Sequence, residues 1–386
     1  MQFITIDHLK PGMRIAKPIY NKSGILLFDR GTKLTLPGIN NISNFGLIGV
    51  YILEPAEPLP PLTREDIEFE QLQTIYMFKL RSVIEQIEKR GPLDNQLNEL
   101  VNDIVKKYGA LSHRVNFNQN LRSADDFMFK HAISTAILCA MITHMMGMTK
   151  RVQQIIVAAA LLYDIGYRFV PNSILGKSEK DFTAQDEDTI QVSLEKGLGY
   201  LYMYNTKYEF MKKAVTLCEY YIYSKNPAKS IKKPDPSILS LMNILHVADT
   251  FDQTTGMMIN RVPESEIVAM RKLETNEEQF DQNIVKVLAR CIHIVPAGAS
   301  VDLSTHGKAI VLVENEEEYL KPLILNLTDY KLYDLSDEKV SKKVHITDLM
   351  KTMDNRIAID EATLKHFVAD ERIKATADKF RAKSKR

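Results

Sequence analysis

Four apolar stretches of this 386-residue chain carry the side chains best placed to do chemistry. They are Phe127-Met128-Phe129-Lys130-His131, Leu161-Leu162-Tyr163-Asp164-Ile165-Gly166, Phe169-Val170-Pro171-Asn172-Ser173-Ile174-Leu175 and Val247-Ala248-Asp249-Thr250-Phe251-Asp252. A carboxylate or imidazole set among apolar residues needs a partner, because an uncompensated buried charge is strongly destabilising. His131, followed by Ala132, Ile133 and Ser134, is therefore expected to hydrogen-bond Asp164 or Asp249. Other signals are thin. There is no GxxxxGK[ST], no GxGxxG after a strand and no GxSxG. His144-Met145-Met146-Gly147-Met148 invites a soft-metal reading, but methionines on a helix are far more often core filler. Lys225, Lys229, Lys232 and Lys233 offer charge to a phosphorylated ligand or an acidic partner; a solvated loop is the commoner meaning of such a run.

Helices must position these groups. Ser123 is a candidate cap for a helix that puts Phe127, His131, Thr135 and Leu138 on one side, in steps of three or four. Further helices are expected over 152–163, 187–200, 210–223 and 237–251. Upstream, Phe69, Leu72, Tyr76, Leu80, Val83 and Ile87 predict one long amphipathic helix, starting at Thr63 with Asp66 in its first turn and ended by Gly91-Pro92. A second follows over 97–107. This pair fits packing against a second copy of the chain and packing onto the next domain equally well.

Both ends read differently. Pro11-Gly12, Ser23-Gly24 and Arg30-Gly31 punctuate short β-prone runs over residues 1–53. Four prolines between Glu54 and Pro61 make a stiff linker over 54–62. Connecting helices occupy 63–119 and the helical domain 120–290. A β-rich extension over 291–345 follows, in which Ser300–Leu303 and Ala309–Val313 flank Thr305-His306-Gly307 as a hairpin. The charged stretch 346–386 is expected to be a tail or frayed helix. The fold class is thus mostly α, with small β-rich segments at both ends.

Bulk properties bound the function. This length predicts two or three domains. Hydrophobic residues are 45% and charged residues 26%, as in soluble globular proteins. A net charge of +1 creates no bulk field toward nucleic acid or an anionic membrane. Cys139, Cys218 and Cys291 sit in apolar stretches and form no CxxC pair, so buried free thiols are expected. The first residues carry no basic region or long apolar run, and Ile155–Tyr163 is about half the ~20 residues of a spanning helix. A cytoplasmic protein without membrane insertion or nucleic-acid binding is the expectation.

In their order and spacing the four stretches resemble the HD-GYP family of bacterial cyclic-dinucleotide phosphodiesterases, and with the flanking β-rich segments the resemblance covers nearly the whole chain. It implies an HD-type helical bundle. It also implies metal-assisted hydrolysis, in which two or three ions, commonly iron or manganese, activate a bridging water and neutralise phosphate charge. Carried over position by position, the family's first histidine is His131, but the glutamate four residues earlier is Phe127. The His-Asp pair becomes Tyr163-Asp164, and the lysine that ends that motif becomes Tyr167. The next helix offers Ser193, four residues before the matching Gly197, in place of a histidine. The paired histidines fall on Tyr220-Tyr221, the Gly-Tyr-Pro loop on Ala228-Lys229-Ser230, and the last aspartate is Asp249.

By this resemblance only His131, Asp164 and Asp249 survive as metal ligands, all in one centre. The other centre keeps only the would-be bridging Asp164. Tyrosine is a poor substitute, since its hydroxyl ionises near pH 10 (about 10 for the free side chain), although ferric sites can use tyrosinate. No cofactor is expected; if an ion binds, it is a single iron or manganese. A His-carboxylate pair is favoured over a metal role, and tyrosines that plug the vacated volume over an aromatic ligand site. No residue is assigned a catalytic role. The preferred function is a catalytically inactive homologue that binds or regulates in second-messenger signalling, with a cyclic dinucleotide, protein partners or a homodimer as associations. The rivals are an active phosphodiesterase with an atypical metal set and a ligand-free scaffold.

Overall fold

Short β-strands and one unanticipated helix build the N-terminal module. The computed structural model describes residues 2–21, 25–53, 63–90, 95–117, 119, 121–203, 208–224, 234–349 and 371–384. Strands β1 (Gln2–Thr5), β2 (Arg14–Ile15) and β5 (Gly49–Leu53) form an antiparallel sheet in the order β1-β5-β2, beside the pair β3 (Ile19–Tyr20) and β4 (Leu26–Phe28). Helix α1 (Leu36–Ser43) lies between β4 and β5. Its start is marked by Thr35, whose hydroxyl accepts from Gly38 N, and by Pro37 in the first turn. A short Asn-containing segment gives too weak a period to announce a helix.

Helix α2 (Arg64–Glu88) opens with a capping box: Thr63 Oγ1 accepts from Asp66 N, and the Asp66 carboxylate accepts from Thr63 N at 2.8 Å. Its stripe Phe69, Tyr76, Leu80, Val83 and Ile87 is buried, as are Leu97, Leu100, Val101 and Ile104 of α3 (Gln96–Lys107). Both helices share one core with the domain that follows, so their apolar faces are covered within the chain. The linker 54–62, Gly91-Pro92 and the basic residues Lys225, Lys229, Lys232 and Lys233 lie outside the described residues.

Helix α4 (Phe127–Met145) is apolar all round, so it must be a central helix. By length and composition it could cross a membrane, yet it is almost wholly buried among its neighbours. The domain continues through α5 (Lys150–Leu162), the single turn α6 (Asn172–Leu175), α7 (Ala184–Tyr202), α8 (Glu209–Ser224), α9 (Pro236–Thr255), α10 (Glu266–Thr275) and α11 (Gln282–Cys291), and α2, α3, α5, α9 and α11 pack against α4. The start of α4 corrects the expected Ser123 cap. The N-cap position is Asp126, while Ser123 serves through its carbonyl, which accepts from Asp126 N and Phe127 N. Beyond α5 the turn Ile165–Phe169 crosses α7 at two glycines. A Cβ on Gly197 would lie 2.5 Å from Gly166 N, so only glycine permits this approach.

The C-terminal sheet is antiparallel, in the order β10-β6-β7-β8-β9, from β6 (Ser300–Leu303), β7 (Lys308–Val313), β8 (Leu323–Asn326), β9 (Leu332–Asp334) and β10 (Ile346–Leu349). The hairpin β6–β7 turns at His306, whose φ of 59° is left-handed. Helix α12 (Glu338–Ser341) precedes β10. Strand β10 pairs with β6, which corrects the reading of 346 onward as tail. Helix α13 (Glu371–Ser384) docks Phe380 on Val313 and Leu323, so this end has an apolar anchor.

Where the N-terminal module meets α2, Glu70 is only 4% exposed. Burial raises its carboxyl pKa to about 7, against the pull of Lys17 and Arg30. The unfolded side chain releases its proton near 4.5, whereas the folded one holds it to about 7. Folding stability therefore falls as pH rises through that window and is flat above it, by up to about 3 kcal/mol at 1.36 kcal/mol per unit. Denaturant unfolding across the window should show this slope in the wild type and its loss in Glu70→Gln; equal slopes would contradict the assignment.

Candidate functional site

His131 projects from α4 into a knot of carboxylates and hydroxyls; the residue is 2% exposed. Its Nδ1 lies 2.5 Å from Asp252 Oδ2. Its Nε2 lies 2.7 Å from Tyr163 Oη, 3.0 Å from Asp249 Oδ1 and 3.4 Å from Asp164 Oδ2. Asp249 and Asp252 are three residues apart on α9, so one helix face delivers both carboxylates to opposite ring nitrogens. Tyr163 ends α5 and Asp164 follows it, which turns adjacent side chains toward the same imidazole.

Behind Asp252 stands Arg122, fully buried. Its Nη2 donates to both carboxylate oxygens at 2.8 Å and to Gln119 Oε1 at 2.9 Å. Gln119 Nε2 donates in turn to Asp252 Oδ1, and the Gln119 carbonyl accepts from Lys17 Nζ of the N-terminal module. Lys17, Gln119, Arg122, Asp252 and His131 thus form one hydrogen-bonded chain from that module to the centre of the bundle.

Electrostatics fix the protonation states. Burial by itself would lower the His131 pKa, but hydrogen bonds to Asp164, Asp249 and Asp252 outweigh it and raise the value well above the usual range. His131 is an imidazolium that donates from both nitrogens. Burial would raise the Asp252 pKa, yet the Arg122 and His131 charges hold it below the ordinary value, so it stays a carboxylate. Tyr163 is pushed well above its usual range by burial and by Asp164 and Asp249. It is held as the neutral phenol, a hydrogen-bond donor to Asp249.

Not every position singled out from sequence joins this centre. Tyr221 does: its hydroxyl donates to Asp249 Oδ2 at 2.5 Å. Tyr220 instead packs on the edge of the core, and the Ser193 hydroxyl donates to the Thr189 carbonyl of its own helix. Phe127 and Tyr167 line a cavity that borders His131 and Asp164. The tyrosines are thus divided between filling the centre and walling a space beside it, where a complete plug was expected.

One ligand atom each from His131, Asp164 and Asp249 lies within 4.8 Å of the others, close enough to surround a single ion. Two of those three donors are already joined through Tyr163, whose hydroxyl accepts from His131 and donates to Asp249 Oδ1 at 2.8 Å. Gln253 adds a donor to the same Asp249 oxygen at 2.7 Å. An ion could enter only by displacing the phenol. Among the described residues no second group of histidines and carboxylates lies close enough together to hold another ion. The donor set does not fit a metal pair.

Sequence reasoning did not reach Arg122, Gln119 or the role of Asp252. Asp252 had a usable signal, its spacing of three from Asp249 on a helix. Arg122 had none, because an arginine beside Leu121 in an irregular segment looks exposed.

Comparison with known proteins places a family match on the helical domain. Residues 116–284 match the family model described as HD domain. Among solved structures, an HDG"Y"P protein from Bdellovibrio bacteriovorus, Bd1817, aligns with 74% of this chain and 97% of its own, at 16% identity and a TM-score of 0.44. No curated protein matches significantly in sequence.

The Arg122–Asp252 pair gives a sharp expectation. Arg122→Met leaves Asp252 buried beside one cation and should cost about 3–5 kcal/mol. Adding Asp252→Asn should restore part of that loss, so that the double variant is more stable than the sum of the singles predicts. Additive losses in denaturant unfolding would contradict the coupling.

Proposed function

We propose that this chain, whose residues 116–284 match the family model described as HD domain, is an HD-GYP-like protein that acts by binding rather than by hydrolysis, as a regulatory member of that group in bacterial second-messenger signalling. The observation that carries the reading is the Tyr163 hydroxyl, hydrogen-bonded to both His131 Nε2 and Asp249 Oδ1. Metal-assisted phosphodiester hydrolysis depends on two ions about 3.5–4 Å apart that clamp attacking and leaving oxygens. Hydrogen bonds to three carboxylates favour the protonated ring of His131, so an ion that binds here must displace that proton as well as the phenol.

What the chain's own residues do instead is hold charge in a fixed arrangement. Asp249 accepts from Tyr163, Tyr221, Gln253 and His131, so its demand for donors is met by the protein. A second reading, a single ion at His131, Asp164 and Asp249, draws support from the closeness of those donor atoms. Such an ion would supply Lewis acidity without a bridged nucleophile.

Two measurements on the purified chain separate these readings. Loaded with manganese or iron, it should retain less than one ion per chain and should not turn over cyclic di-GMP above background. Tyr163→His should raise manganese affinity by supplying a ligand in place of the phenol, still without turnover. Stoichiometric metal together with hydrolysis by the wild type would sink the proposal; one tightly held ion without hydrolysis would favour the second reading.

A further inference from the structure

Helix α7 has two unlike sides. Inward it packs on the turn that follows Asp164, where Gly197 meets Gly166. Outward, Asp188, Val192 and Lys196 follow one another at intervals of four and are all exposed. That spacing sets Asp188 and Lys196 about 40° to either side of Val192 around the helix, on one shared face. Val192 is 57% exposed, although a branched aliphatic side chain is more stable out of water. Among the described residues neither Asp188 nor Lys196 has an ion-pair partner within the chain. Lys196 Nζ lies 4.1 Å over the Phe169 ring, a contact that engages only part of its three N–H donors.

Gly199 lies on the same face, two turns beyond Val192. Packing inside the chain demands glycine at 197, but a Cβ at position 199 would meet nothing within 4 Å. Glycine is among the poorest residues for a helix interior, and here no neighbour in the chain requires it. It leaves a shallow notch in the outer face, where a long side chain of another helix fits.

These features are self-complementary. Two copies of α7 laid antiparallel about a two-fold axis at Val192 bring together residues equally far before and after it. Val192 then meets its own counterpart, Asp188 meets the partner's Lys196, and Gln185 meets the partner's Gly199. One axis thus covers the apolar side chain, pairs both free charges and fills the notch, as an isologous contact must. The long helices α2 and α3, by contrast, have their apolar faces covered within the chain.

We propose that the outer face of α7 is a homodimer interface, in which two copies of this chain pack antiparallel about Val192 with reciprocal Asp188–Lys196 ion pairs. The inference is independent of whether the centre around His131 hydrolyses or only binds. It seats the dimer on the helix whose Ile190 lines the cavity beside Asp164.

Sedimentation equilibrium of the full chain as a function of concentration and salt tests it. One helix pair is a small interface, so a dissociation constant on the order of 10 µM is expected, weakening as salt screens the ion pairs. Val192→Glu sets two carboxylates against each other on the axis and should leave a monomer at every concentration. Asp188→Lys and Lys196→Asp should each weaken the dimer about tenfold, and the two together should restore it. Gly199→Gln should weaken the dimer while leaving the thermal unfolding of the monomer unchanged or raised. Because Cys139, Cys218 and Cys291 are buried, Val192→Cys should cross-link to its counterpart on oxidation with copper phenanthroline, and Gln185→Cys should not. A wild type that stays monomeric throughout, a dimer indifferent to Val192→Glu, or charge-reversed singles that the double variant does not rescue would each overturn the assignment.

Discussion

The helical domain is organised around a charge that cannot leave its core. Arg122 is fully buried and meets Asp252 through Nη2 at 2.8 Å; Asp252 meets His131, and His131 meets Asp249, Asp164 and Tyr163. Burying ions is costly unless each finds partners, and removing any one member leaves the next uncompensated. Surrounding backbone is shaped to accept this. A side chain at position 256 would place its Cβ 2.6 Å from the Arg122 guanidinium, so Gly256 makes the room the arginine occupies. The same segment joins the modules: Ile48 N donates to the Arg122 carbonyl, and Lys17 Nζ to that of Gln119. The position of the N-terminal sheet is thereby tied to the core of the bundle.

That network also decides what the centre can do. An ion that binds here must displace protons and hydrogen bonds from its ligands. Here the donors face one another through hydrogen bonds, with a neutral phenol between imidazolium and carboxylate. Tyr163 supplies a hydroxyl that both accepts from His131 and donates to Asp249. Tyr221 repeats the donation on the other oxygen of Asp249. Together with Gln253 and His131 these hydroxyls give Asp249 its hydrogen-bond donors from within the chain.

Much of this was legible beforehand where periodicity or local chemistry speaks. The stripe from Phe69 to Ile87 and Thr63 with Asp66 in the first turn announce α2, and the spacing of Phe127, His131, Thr135 and Leu138 announces α4. Convergence of His131, Asp164 and Asp249 was expected from the motif order. What stayed hidden depends on tertiary partners. Arg122 has no periodic pattern around it, yet it balances the centre. Strand β10 carries too few apolar residues to show that it completes a sheet. Tyr220 and Tyr221 are adjacent in sequence, but a helix turns them about 100° apart, so only Tyr221 reaches Asp249.

The protonation state of His131 tests this account most directly. Nitrogen-15 NMR of histidine-labelled protein in EDTA at mildly alkaline pH, with the His131 signals assigned by their loss in His131→Gln, reports both ring nitrogens separately. The account predicts two protonated nitrogens with slowly exchanging protons, unchanged when manganese is added. A neutral ring with one bare nitrogen, or His131 signals selectively broadened by manganese, would contradict it.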